Sequence, residues 1–172
     1  MGMAPTILLA ALFAANCDPT ETTAVTFLAD APPYSAEQGP CGLTILDADD
    51  LPIYELQKPL RTFEVIPLPD GAQALLIGAA KGPEETEYTV LAWSRGAVRA
   101  LTPPDLAAHL AADESFSRGA VIEPVSGALL VDAPVFAKGD PGCCASRGRL
   151  LAMLGLDPNR GRLVLLGSRR EQ

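Results

Sequence analysis

Two adjacent cysteines in the run Lys138-Gly139-Asp140-Pro141-Gly142-Cys143-Cys144-Ala145-Ser146 are the densest local concentration of reactive side chains. Their Cα atoms stand about 3.8 Å apart across a trans peptide or about 2.9 Å across a cis one, short of the roughly 4.4–6.8 Å that a disulfide ordinarily spans. A bond between them would therefore close a strained eight-membered ring that is easily reduced. The other partner on offer is Cys41, in the turn Gly39-Pro40-Cys41-Gly42. A structural bridge from Cys41 to Cys143 or Cys144 is the leading expectation, and such a loop of about 100 residues would stabilise the fold by up to ~4–5 kcal/mol in the chain-entropy model. A vicinal bridge is the second possibility. A thiol redox or soft-metal site is the third, although those chemistries ordinarily space their cysteines as Cys-x-x-Cys.

Other reactive residues are sparse. His109 is the single histidine, so any Ser–His or Cys–His scheme must use it as base; its sequence position places it half-buried on the apolar stripe of a helix. Asp47, Asp49 and Asp50 put three carboxylates within four residues, but an EF-hand counted from Asp47 would meet Pro52 where it needs glycine and Lys58 where it needs glutamate. An acidic solvated turn is the expectation there. Glu84-Glu85-Thr86-Glu87 reads as a charged hairpin tip rather than a pair of facing glycosidase acids. No nucleophile elbow, zincin, P-loop or dinucleotide-binding motif is present. These residues yield no catalytic, cofactor-binding or metal-binding assignment, and no cofactor is expected.

The N-terminal stretch 7–15, Ile-Leu-Leu-Ala-Ala-Leu-Phe-Ala-Ala, is uncharged and ends in small residues before Cys17. It is too short to span a bilayer, which takes about 20 residues, and matches the apolar region and cleavage site of a secretory signal. The stretch 1–6 lacks the usual Lys or Arg, so a buried N-terminal strand is the competing reading. Cys17 stands where a lipoprotein signal places its lipidated cysteine, with Asn16 and Ala14 departing from the usual lipobox residues. Residues 18–40 read as a flexible, Pro-containing tether with one short strand near 24–28. If Cys17 is used in processing, Cys41, Cys143 and Cys144 remain, and an odd thiol is left over.

Past residue 43 short apolar runs alternate with turn signals. Runs at 62–68 and 72–79 flank Pro69-Asp70-Gly71, and runs at 87–93 and 97–101 flank Ser94-Arg95-Gly96. Trp93 is expected in the core, on the opposite strand face from Tyr88. A short helix is predicted at about 103–112, with Thr102 as cap, Pro103 at the first position and Leu106, His109 and Leu110 on one face. Further runs at 119–125 and 128–137 meet at Ser126-Gly127, and those at 150–156 and 162–168 meet at 157–161.

The 172 residues suit one domain, and 15 Gly with 16 Pro exceed the ordinary share without reaching a disordered composition. A formal charge of -8 disfavours nucleic acid, whose phosphates need clustered Lys and Arg. The charge is uneven: residues 147–172 hold six Arg against Asp157 and Glu171, so that segment is +4 and the rest is -12. Those arginines either pair with the acidic body or offer a basic patch to an anionic envelope polymer.

The order of strands from about 87 to 168, interrupted by Gly139, Asp140, Cys143, Cys144 and Ser146, resembles the C-terminal part of bacterial envelope proteins of the LppP/LprE lipoprotein family, with Ala145 where those proteins carry proline. The resemblance implies an extracytoplasmic, lipid-anchored or secreted β-rich domain and brings no catalytic residues with it. The sequence as a whole therefore leads to a mainly β (α+β) protein: antiparallel meanders of about eight short strands and one short helix. Its expected organisation is a signal at 1–17, a tether at 18–40 and a single domain at 41–172. The expected role is non-enzymatic binding or structure in the periplasm or cell envelope, toward an unknown envelope protein or polymer. Membrane attachment would come only through lipid at Cys17. The alternatives are a thiol redox or soft-metal protein using Cys143 and Cys144, and an envelope-polymer hydrolase.

Overall fold

A computed structural model describes residues 23–27, 34–39, 42–47, 49–68, 72–82, 85–94, 97–116 and 119–172. The apolar stretch 7–15, Cys17 and Cys41 lie outside them. The protein is mainly β with several antiparallel sheets. Strands β1 (Thr23–Phe27), β2 (Tyr34–Gly39), β3 (Gly42–Leu46) and β4 (Pro52–Leu56) form a first sheet in chain order. Strands β5 (Leu60–Pro67), β6 (Gln73–Ala80), β7 (Thr86–Ser94) and β8 (Ala97–Ala100) form a second. After a two-residue strand β9 (Glu114–Ser115), a third sheet runs β10 (Val121–Val125), β11 (Ala128–Pro134), β13 (Arg149–Asp157) and β14 (Arg162–Glu171). The short β12 (Phe136–Ala137) leaves β11 after Pro134 and pairs with β9.

The second sheet is the middle layer. Its strand β6 is apolar without alternation, and each parity of residue finds a different core. Ala74 and Leu76, with Val90 and Ala92 of β7, pack against Leu129, Val131, Ala152 and Leu154 of the third sheet. Leu75 and Ile77, with Leu91, pack against Ala36, Leu43 and Ile45 of the first. A continuous apolar strand is what burial on both faces requires. Tyr88 packs on the core toward the third sheet and Trp93, half-buried, on the core toward the first, so the opposite-face expectation holds.

The sequence reading needs correction at three elements. No α-helix forms at 103–112; only a 3-10 turn at Leu106–His109 is present, capped by Asp105, whose carboxylate accepts from the Ala107 amide at 3.0 Å. Pro104 pushes Pro103 away from helical backbone, Thr102 is taken into a bridge with Arg162, and Leu110 is already extended. A helix as short as ~10 residues has too few internal bonds to resist such competition. His109 accordingly sits exposed rather than on a packed stripe.

The second correction concerns 18–40, expected to be a tether with one short strand near 24–28; β1 answers that strand, and β2 is the element not expected. The pairing of β1 with β2 at Val25↔Ala36 continues into β3 through Ala36↔Ile45. The boundary expected at 41 therefore falls inside the β2–β3 hairpin. The strand signal is weak because the apolar side chain that β2 buries at Ala36 is small and stands between Ser35 and Glu37. The third is the strand expected over 128–137, which is interrupted after Pro134: Val135 still donates to the Gly148 carbonyl at 2.9 Å and accepts from the Arg147 amide at 3.1 Å, one residue against two, and Phe136 and Ala137 then pair with β9 instead.

The hairpin signals fare better. Ser126 and Gly127 both take positive φ, 49° and 78°, the two-residue reversal that joins paired Val125 and Ala128. Gly161 closes the 3-10 turn Pro158–Arg160 in left-handed geometry before β14.

Candidate functional site

Two places in the third-sheet half carry features that a surface or solvent can use. The first is the loop from Lys138 to Gly148, between β12 and β13. Asp140 organises it: one carboxylate oxygen accepts from the Ala137 amide at 2.7 Å, the Ser146 amide at 2.9 Å and the Ser146 hydroxyl at 2.8 Å. Those bonds hold its carboxyl below the ordinary aspartate value, the Ser146 amide contributing most. The loop base is tied to the protein by the Lys138 amide donating to Asp113 at 2.7 Å and by two main-chain bonds linking Val135 to Arg147 and Gly148. Arg147 pairs with Asp113 at 3.2 Å. Arg170 grips Glu114 with two bonds of 3.0 and 2.9 Å and donates to the Arg147 carbonyl.

At the loop's tip Cys143 and Cys144 are both exposed free thiols, with the Cys144 amide turned in to Pro141 at 3.0 Å. The Cys144 thiol is pushed up, first by its hydrogen bond with Cys143 and then by burial and by the neighbouring Cys143 and Asp140 charges. A raised thiol is protonated at neutral pH and is a poor nucleophile. The bridge expected from Cys41 involves a residue outside those described. Among the described residues no group of three His, Cys, Asp or Glu side chains is placed to hold a metal ion.

The other candidate residues are not drawn to this loop. Asp47 is a turn-former: one of its carboxylate oxygens accepts from the Asp49 and Leu51 amides at 2.9 and 3.0 Å, while Asp50 takes φ 59°. Glu87 is bonded to Lys58 at 2.7 Å, which holds its carboxyl low. All six C-terminal arginines have an acidic neighbour: Asp113, Asp132, Asp157 for both Arg160 and Arg162, Glu171 and Glu114. Pairing with acids, rather than a free basic patch, is what the geometry shows for them.

The second place is the outer face of the third sheet, which the sequence reading passed over. Strand β13 reads Leu150-Leu151-Ala152-Met153-Leu154, apolar on both parities like β6. Leu150, Ala152 and Leu154 are buried. Leu151 and Met153 point the other way and, with Leu130, Gly167, Ser168 and Arg169, line an open groove of about 460 Å³. Register extends this face: Leu130 stands between Glu123 and Met153, and Met153 opposite Gly167. A bulge between Met153 and Leu154 throws Leu166 out over Gly155, where it is 64% exposed. Val121 and Val125 on the β10 edge are 40% and 39% exposed. The unbroken apolar run of β13 was the available signal. It was missed because a run apolar on both parities does not say which face finds a partner.

With this geometry in hand, the chain was compared with known proteins: no family model, no curated protein and no solved structure matches it.

Proposed function

We propose that this is an exported, envelope-associated protein with a non-enzymatic binding or structural role, exercised through the outer face of the third sheet. The observation that carries the reading is β13: its second apolar face lines an open groove whose walls are Leu130, Leu151 and Met153 and whose polar lining is Ser168 and Arg169. Such a surface gains free energy by excluding water against another apolar surface, at about 25 cal/mol per Å² covered. Among the described residues the groove lining is apolar side chains with Ser168 and Arg169, a surface that suits contact. Export rests on the apolar stretch 7–15 before Cys17, and the likeness of the Gly139-Asp140 and Cys143-Cys144 run to LppP/LprE lipoproteins supports an envelope location.

The test is binding of an environment-sensitive apolar dye. Wild-type protein should bind it, and Leu151→Glu should lose that binding while keeping its far-UV circular dichroism. Equal dye binding by the variant would remove the face from the argument. For export, the mature N-terminal mass decides: a retained Met1 would overturn it.

A second reading is favoured by one observation, the adjacent exposed thiols of Cys143 and Cys144. Two neighbouring thiols on an anchored loop suit a thiophilic ligand or reversible oxidation. Peptide mapping after alkylation separates the cases, since a stable linkage from Cys41 to either residue would end this reading.

A further inference from the structure

From the third sheet's outer face we infer that its occupant is a second copy of this chain, in a two-fold, face-to-face contact. The inference rests on the proposed binding role of that face and names its partner. Two observations point to it. Strand β6 has the same two-faced apolar pattern as β13, and in β6 both faces are covered by neighbouring sheets, so an uncovered outer face on β13 is the odd one out among the described residues.

The face is also self-complementary. A two-fold axis lying between the sheets and parallel to the strands sets β11 of one copy over β13 of the other, and β10 over β14. Met153 then meets Leu130 of the other copy, twice. At the margins Glu123 of β10 shares its level with Gly167 and Arg169 of β14 shares its level with Val121, so each copy's Glu123 lies over the other's β14 strand two residues along from Arg169, within reach of that long side chain. The existing bond from Arg169 to Glu171, between side chains 73% and 46% exposed, is a surface pair that holds Arg169 only weakly.

Area sets the strength. Four strands about 4.8 Å apart and seven residues at about 3.3 Å give a face of roughly 450 Å² per copy, below the ~800 Å² per partner of a standard interface. The dimer is therefore weak and concentration-dependent, with the sheets aligned at about 30° as in other face-to-face packings.

Sedimentation velocity on the purified full chain, loaded over roughly 5–500 µM to catch a small interface, should show a shift from monomer to dimer. Met153→Arg should abolish that shift. Leu166→Glu, at an already exposed side chain, should do the same and guards against a folding defect in the first variant. Arg169→Glu should weaken dimerisation about tenfold by facing Glu123 with a like charge. Adding Glu123→Arg to it should restore association.

Wild-type protein that stays monomeric throughout, or variants that dimerise as wild type does, would overturn the inference. Crosslinks from residues 7–15 to Met153 in a monomer would overturn it in favour of an internal cover. A monomer that still binds the apolar dye through Leu151 would sink the second copy and leave the binding role standing. A monomer without that dye binding would sink both.

Discussion

Asp140 concentrates three donors on one carboxylate oxygen and so fixes the path of the chain between Ala137 and Ser146. Cys143 and Cys144 ride on that fixed path, and their reactivity follows from each other more than from any base. Because the hydrogen bond with Cys143 is the main cause of the raised Cys144 thiol, removing it by Cys143→Ala should lower the Cys144 value toward 9.0. More thiolate at pH 8 follows, so iodoacetamide should modify Cys144 faster in the variant than in wild type, as read by time-resolved mass spectrometry. An unchanged rate would mean that the pair does not communicate. Cys143, Cys144, Asp140 and Ser146 were legible as one loop from sequence, while the three bonds to a single oxygen were not, because they depend on where the main chain turns back.

Strand β6 and the junction at Gly148 carry the tests at the level of elements. Leu76 and Ile77 are neighbours in sequence, yet both are fully buried because they enter different cores. Leu76→Ala and Ile77→Ala should each cost about 2–5 kcal/mol in urea unfolding, the range for a large aliphatic side chain cut from a packed core. In a strand with one solvated face, one of the two would be nearly silent. Gly148, at φ 74°, leads the loop into β13, and a side chain there would run into the carbonyl of Glu171 in β14. Gly148→Ala should destabilise by more than ~1 kcal/mol, through strained backbone and the displaced strand end. Most strands were readable from apolar runs and turn residues. The 3-10 turn at Leu106–His109 and strands β2, β3 and β4 were not, since the first is decided by Pro103-Pro104 and a bridge to Arg162, and the strands by one another, as Ala36 of β2 is buried against Ile45 of β3.

Across the molecule the acidic body and basic C-terminal segment are joined by specific pairs rather than by a diffuse field. Arg170 reaches from β14 to Glu114, 56 residues away, and to the Arg147 carbonyl. Glu114 is held below the ordinary 4.5 chiefly by that guanidinium. A lowered carboxyl contributes stability that is fully present above its ordinary value and is lost as pH falls through the lowered one. The thermal midpoint should therefore drop on acidification below about pH 4.5, and Arg170→Ala should both lower the midpoint at pH 7 and shrink that acid-dependent drop. The check is differential scanning fluorimetry of both proteins from pH 7 down to pH 3. An equally steep acid limb in the variant would assign the effect to other carboxylates, Asp140 first among them.

The sequence by itself determined the β character, the hairpin positions at Ser126-Gly127 and 157–161, the separation of an acidic body from a basic end, and the loop that carries the paired cysteines. These are local matters: strand periodicity, positive φ at small residues and formal charge need no distant partner. Tertiary structure decided the rest. It determined that Tyr88 and Trp93 serve two different cores, that His109 is exposed and that Asp47 shapes a turn. It also showed that of two strands apolar on both faces, β6 is covered twice and β13 once among the described residues. Sheet stacking makes that difference, because side-chain alternation along a strand says which residues share a face but not whether another layer lies against it.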